Sequence, residues 1–356
     1  MGSYLLKTLI RNGYRVYALA RSKDNKSAED RVIDILKFWD RSIATSGLLK
    51  NLKIIEGDIA YPGLGIKLKK DTETIISDAE VFFHSAALTD VTAPLELIRK
   101  INVEGTRNIL DFALECKRRG RLSKVNHIST AYVAGAKKNI EFSEDMLELG
   151  QDFNNTYEQS KYEAELLVKQ YLNRGLNISI FRSGMIIGDS KEGRTTDFRL
   201  FYTALRFFSR GLFSEFPANP ICEQNFINID TVINAILLLA QKPQSKVYHI
   251  VSGRGSPVGL FIKLAGDYFG FELPKFIPIE KFNFKKLTPA QAALAGPYVP
   301  YFNYTVKFIS DQTQKALKEY NFSYPEIDEE NIIRNLFYCE KTGFIKKKND
   351  MVLKNA

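Results

Sequence analysis

Cysteine, histidine and long apolar runs are scarce in this sequence, and each scarcity excludes something. The three cysteines, Cys116, Cys222 and Cys339, lie far apart and form no Cys-x-x-Cys pair. They fit a reducing compartment, the cytoplasm, and suit neither a disulfide framework nor zinc. Three scattered histidines argue against a His-based metal site as well. No apolar run approaches the ~20 residues of a membrane-spanning helix, and the strongest, Val232 to Ala240, is too short. Leu6 occupies the position where a myristoylation signal after Gly2 wants Ser or Thr. No internal repeat or low-complexity segment is present. Aromatic and basic residues are not interleaved as they are in single-strand binders, which argues against nucleic acid as a partner.

What is there describes an ordinary globular chain. It has 356 residues, 45% apolar and 26% charged, enough to bury one large core or two small ones. The formal charge of +9 suits an anionic ligand or an acidic protein partner. Part of it lies in Lys346–Lys348, which reads as a solvated end.

The first 190 residues alternate between short β-branched or aromatic runs and longer amphipathic stretches. Arg15–Ala20, Leu52–Glu56, Val81–His84, Val125–Ile128 and Ile178–Phe181 read as strands. Ser3–Asn12, Ser27–Ala44, Leu95–Lys117 and Tyr157–Arg174 read as helices, with Gly13, Gly120 and Gly175 where C-terminal caps belong. Such alternation predicts an α/β fold, a Rossmann-like doubly wound parallel sheet covered on both faces. After residue 190 Pro and aromatic residues multiply. Helix Asp230–Gln241 and strand Val247–Val251 read as a return to the sheet. The expected organisation is a nucleotide-binding domain over 1–190, rejoined by 228–252, and a smaller cap over 191–227 and 253–356.

The chain opens on a helix. In a dinucleotide-binding fold this helix follows a first strand and a Gly-rich turn, and neither is seen. Gly2 reads as the last glycine of such a turn, so the chain is expected to be N-terminally truncated within the glycine loop. The consequences expected are an unfilled slot or two exposed edges in the sheet, an incomplete phosphate site and weak cofactor binding.

Tyr157-Glu-Gln-Ser-Lys161 follows the strand-end segment His127–Val133. A Tyr and a Lys four apart share one helix face. The ammonium is expected to lower the phenol's pKa and tune it as a proton donor to a carbonyl under reduction. The hydroxyl of Ser129 or of Thr130 is placed to hold the same carbonyl oxygen.

These residues belong to an ordered set: Gly57-Asp-Ile59, Phe83-His-Ser-Ala-Ala87, Asn102–Asn108, His127–Tyr132, Tyr157-x-x-x-Lys161 and Arg182–Gly188. In this order, on strand ends and helices, they resemble an extended short-chain dehydrogenase/reductase. The closest likeness is to thioester reductase domains of carboxylic acid reductases and nonribosomal peptide synthetases, and to fatty acyl-CoA reductases. It runs from Gly2 to about Val251.

The resemblance implies roles. Thr130 holds the substrate carbonyl, with Ser129 as its neighbour. Tyr157 protonates the developing oxyanion, and Lys161 assists it and grips the nicotinamide ribose. Asp58 and Ile59 flank the adenine, and the small Ala86 and Ala87 let the cofactor pass. Asn102 ties strand backbones near the site, and Gly184 approaches the nicotinamide although Ser183 replaces the family's usual Pro. Arg21, with Arg31 as a second candidate, clamps a 2′-phosphate, which favours NADP(H) over NAD(H). His84 and His127 read as packing groups. Phe198, Phe201, Tyr202, Phe207, Phe208 and Phe213 line an acyl channel or form core, core being the simpler reading.

The activity expected is reduction of an acyl thioester, carried by coenzyme A or by an acyl carrier protein in trans, to aldehyde or alcohol. A nucleotide-sugar epimerase or dehydratase of the same fold is the second reading. A non-catalytic cofactor-binding protein or inactive fragment is the third.

Overall fold

In the computed structural model, residues 1–138 and 140–348 are described. They fall in two compact units, the first over 1–133, 155–182 and 233–248, the second within the segments 134–154, 183–232 and 249–356.

The first unit contains, in chain order, α1 (Gly2–Arg11), β1 (Val16–Ala20), α2 (Ala28–Trp39), β2 (Leu52–Glu56), α3 (Lys69–Asp78), β3 (Val81–His84), α4 (Leu95–Arg99), α5 (Gly105–Arg119), β4 (Lys124–Thr130), α6 (Thr156–Asn173), β5 (Ile178–Ser183), α7 (Ile229–Ala240) and β6 (Val247–Ile250). The ends of the last three elements run into the second unit. Strand β1 pairs with β2 in parallel, Val16 opposite Leu52, and β3 pairs with β4 in parallel, Val81 opposite Lys124. The second sheet has the order β6-β5-β4-β3.

Period-2 alternation explains the two-sided burial. Val16, Ala20, Leu52 and Ile54 pack with Ile10 of α1 and with Val32 and Leu36 of α2. Tyr17, Leu19 and Ile55 turn the other way and join a cluster with Ile75 and Ile76 of α3, Leu110 and Phe112 of α5, and Leu167 and Val168 of α6. Phe82, Val125 and Ile180 join that same cluster, so both sheet pieces rest on one helix layer. Among the described residues β1 hydrogen-bonds to no strand but β2, and β3 to none but β4.

Two helices expected as continuous are broken. The second ends at Trp39, and Asp40 restarts the chain as a 3-10 turn by accepting the Ser42 amide. The third, Leu95–Lys117, carries a π-helical turn at Lys100–Glu104, between α4 and α5, with Asn102 buried in it. Gly13 and Gly175 take the left-handed conformation (φ +80° and +90°) after their helices. Gly120 is extended, and glycine is needed there for a different reason. A Cβ would lie 1.7 Å from the Ile76 carbonyl oxygen.

The second unit is built from strand pairs two or three residues long. Three are parallel, Met185–Ile187 with Phe226–Asn228, Glu215–Pro217 with Lys275–Ile277, and Glu141–Phe142 with Lys307–Phe308. Aromatic side chains make its core: Phe208, Phe216, Phe226 and Phe302 are fully buried. Phe201, Tyr202, Phe208 and Phe213 are buried with them, joined by edge-on contacts such as Phe208–Phe216 at 5.0 Å and Phe201–Phe226 at 5.0 Å. These rings are core. Among the described residues no helix is long and apolar enough to cross a membrane.

Candidate active site

Tyr157 enters in the first turn of α6. Asn155 caps that turn by accepting the Glu158 amide at 3.0 Å. Thr156 ties it down by donating to the Ala93 carbonyl at 2.8 Å. One turn on, Lys161 is buried and donates from Nζ to the Ile128 carbonyl on β4 at 2.7 Å. The ammonium therefore lies at the C-terminal end of the strand that carries Ser129 and Thr130.

Those two hydroxyls are not equivalent. Successive strand residues point to opposite faces. Ser129 donates to the Glu165 carboxylate on α6 and is committed to it. Thr130 turns to the other face, where its Oγ1 accepts the Tyr132 amide at 3.3 Å.

Tyr157 is half-buried by surface area, although protein atoms surround it closely. Its hydroxyl makes no hydrogen bond among the described residues, to Lys161, Thr130 or any other group. Loss of hydration, with Glu158 adding to it, pushes the phenol up to about 12. This corrects the expectation of a lowered value. Burial outweighs the ammonium, which is turned to the Ile128 carbonyl. A phenol in this state is fully protonated at neutral pH. Burial also brings Lys161 down to about 8, against the opposing pull of Glu165.

His84 and His127 face each other across β3 and β4, ring centroids 5.3 Å apart. Burial and the Lys161 charge lower His84 to about 3. The same two causes, with His84 added, hold His127 well below its usual value. Both rings are neutral and cannot serve as general acids near pH 7. His84 Nε2 pairs with Thr106 Oγ1 at 2.9 Å.

Asn102, in the π-turn, binds the Leu88 backbone at both ends: it accepts the amide at 2.7 Å and donates to the carbonyl at 2.9 Å. The same side-chain amide donates to Ser160 Oγ at 2.9 Å. It thus ties a loop to α6, where strand backbones had been expected. That loop carries Ala86, exposed, and Ala87, half-buried. Gly2 lies against the start of the same loop, where a Cβ would come within 2.6 Å of Ser85 Oγ.

At the end of β2, Asp58 accepts the Ala60 amide at 2.9 Å and an Arg21 N–H at 3.3 Å. Ile59 is buried, its carbonyl accepting from Asn108 at 2.7 Å. Arg31 donates to the Arg21 carbonyl, so the two guanidinium-bearing residues meet beside β1. Gly184 lies in the second unit. A Cβ there would fall 2.5 Å from both the carbonyl and side-chain oxygens of Asn225, so its close partner in this structure is a protein group.

Three residues that tie the site together were not singled out from sequence: Ser160, Glu165 and Arg182. Glu165 and Arg182 form a buried ion pair at 2.8 Å. The available signal was spacing, because 157, 161 and 165 recur every four residues on α6.

A sequence profile of the male sterility protein family, an NAD-binding family, matches residues 1–236. A linear gramicidin synthase polypeptide of Brevibacillus parabrevis is 24% identical over 97% of this chain and 7% of its own length. A Drosophila melanogaster protein, CG8306, is named provisionally as a fatty acyl-CoA reductase. It is 28% identical over 77% of this chain and 59% of its own length. The chain thus spans less than two thirds of these curated relatives. The terminal R domain from the myxalamid PKS-NRPS biosynthetic pathway superposes with a TM-score of 0.80 and 26% identity, over 97% of this chain and 89% of that one. The chain belongs to the male sterility protein family, within the extended short-chain dehydrogenase/reductases, a group of NAD(P)-dependent oxidoreductases with thioester reductase and fatty acyl-CoA reductase members.

Proposed function

We propose that this chain is an NADPH-dependent reductase of an acyl thioester, borne by coenzyme A or an acyl carrier protein in trans, and that it acts in the cytoplasm. One observation carries the reading: Lys161 is pinned to the end of β4 beside Thr130, with the protonated Tyr157 one turn earlier on the same helix.

The residues fit a dinucleotide at both ends. Arg21 and Arg31 lie side by side at the end of β1, and their guanidinium groups would hold a 2′-phosphate. Asp58 and Ile59 form a ledge for adenine. Lys161 suits a ribose hydroxyl, and the small, exposed Ala86 leaves room along the backbone. A bound nicotinamide would supply the hydride. Thr130 Oγ1 fixes the carbonyl oxygen. Tyr157 Oη delivers a proton to that oxygen as charge develops on it, and Lys161 offsets the phenolate left behind. The resulting hemithioacetal breaks its C–S bond to release the thiol and the aldehyde; a second reduced cofactor and a Tyr157 reprotonated from solvent would take the aldehyde to the alcohol. The three cysteines are buried free thiols, which suits a reducing compartment.

The test is spectrophotometric. Stoichiometric loss of NADPH absorbance on adding acyl-CoA or an acylated carrier protein is expected. Conversion of a nucleotide sugar with no net cofactor consumption would instead establish the epimerase or dehydratase reading. Cofactor binding without turnover, unaffected by Tyr157→Phe, would establish the non-catalytic one.

A further inference from the structure

A buried carboxylate remains that the proposed reaction does not use. Glu165 is fully buried on α6, two turns beyond Tyr157 and one beyond Lys161. Its Oε1 accepts the Ser129 hydroxyl of β4. Arg182 of β5, also buried, donates from Nε to both carboxylate oxygens at 3.1 and 3.0 Å and from a terminal nitrogen to Oε2 at 2.8 Å. One side chain thereby joins the helix bearing Tyr157 and Lys161 to the strand bearing Thr130 and to the next strand.

A purely structural role accounts poorly for this choice. Buried Arg–Glu pairs add little net stability, and an apolar pair of equal volume packs as well. An apolar pair could neither accept the Ser129 hydroxyl nor present negative charge toward Lys161. We propose that Glu165, acting through Ser129 and Arg182, is the positioning residue that locks the Tyr157–Lys161 face of α6 against the ends of β4 and β5. The proposal rests on the reductase reading for its catalytic meaning.

The electrostatic consequence concerns Lys161. The charged and titratable groups acting with it are Glu165 from α6, His84 from β3 and His127 from β4, and Arg182 of β5 is paired to Glu165. Both histidines are neutral. Glu165 is therefore the acid that supports the ammonium against burial, which alone drives it toward the neutral amine.

The experiment follows Lys161 directly in the 356-residue chain, by NMR of lysine labelled with carbon-13 at Cε. The Lys161 resonance is assigned by its loss in Lys161→Met. Glu165→Gln removes the charge and keeps the shape. The double variant Glu165→Gln/Arg182→Gln does so without stranding a buried guanidinium, and its titration decides the matter if the single variant does not fold. The Lys161 midpoint is expected to fall by ~0.5 pH unit or more in either variant. The alkaline limb of kcat/KM for thioester reduction should move down by the same amount, and Glu165→Asp should restore part of both. A midpoint equal to wild type in variants with native circular dichroism overturns the proposal and leaves Glu165 a packing residue. A midpoint that falls in a chain unable to reduce any acyl thioester sustains the lock while removing the reductase reading.

Discussion

The two units are near opposites in charge and construction. The first holds 28 basic against 19 acidic side chains, and the second 22 against 22, so the whole formal excess of +9 lies in the first. The first is ordered by strand–helix periodicity and contains every candidate site residue except Gly184. The second has strand pairs of two or three residues and is held by stacked rings and buried amides. Asn335 accepts from the Gly188 amide at 2.9 Å and from the Tyr202 hydroxyl at 2.7 Å. Asn228 donates to the Gly188 carbonyl at 2.8 Å. The contrast separates a unit rich in charge, as the proposed anion attraction and proton chemistry require, from one held by packing and satisfied polar groups.

The sharpest way to break this division is Tyr157→Phe. Removing the proton donor should cut kcat by about 10³-fold, within the usual range for a general acid. Stability should hardly change, since the hydroxyl makes no hydrogen bond among the described residues. Steady-state turnover measured beside calorimetry checks both. Retained activity would remove Tyr157 from the chemistry. In the second unit Asn335→Leu should do the reverse. It strands the Tyr202 hydroxyl proton in a dry interior and leaves the Gly188 amide with Tyr202 Oη as its one acceptor of the two, at ~1–3 kcal/mol of stability. The thermal midpoint should fall while NADPH affinity stays within about twofold, on the premise that the first unit binds cofactor. A collapse of that affinity in a folded variant would remove the premise.

Legibility in the sequence divides along the same line. Strands β1 to β6 lie within a residue or two of where alternation and β-branched composition place them, because a buried sheet imposes a period of two. Asp40 and the π-turn at Asn102 escape that reading, since the first break depends on one side chain competing for backbone and the second holds a side chain that bonds the distant Leu88 and Ser160. The Tyr157–Lys161 spacing gives the shared helix face, but the direction of the phenol's shift is set by burial, which spacing does not encode. Glu165 in sequence is one more charged helix residue. Only the three-dimensional meeting of Ser129 and Arg182 on it gives it weight. In the second unit the ring contacts join residues as distant as Phe208 and Phe302, and no local period records them.

Smaller effects test the charged unit from within. Arg21→Ala and Arg31→Ala should each weaken NADPH about tenfold and NADH much less, since a 2′-phosphate loses a charge-assisted partner. Equal losses for the two cofactors, measured by fluorescence titration, would assign these arginines to general attraction instead of 2′-phosphate recognition.

The subtlest effect is in pH, where one residue should drive activity and stability in opposite directions. Lys161 titrates at about 8 in the folded chain and near 10.5 when unfolded. On the proposed reading turnover needs its charge and should decline as pH rises through about 8. Between those two values the unfolded chain binds a proton that the folded chain has released. The Lys161 contribution to stability therefore rises with pH across this window and is absent below it. Cys116 and Cys339 act oppositely. Burial raises each from 9.0 to about 12, so each favours the folded state less as pH climbs past 9. The Lys161 term must accordingly be read as the difference between wild type and Lys161→Met, in which the cysteine terms cancel. The difference in unfolding free energy should shift toward wild type from about pH 8 upward, while the wild-type rate falls over the same interval. A difference that stays flat with pH would mean that the ammonium is as well solvated in the fold as outside it, which its burial against the Ile128 carbonyl contradicts.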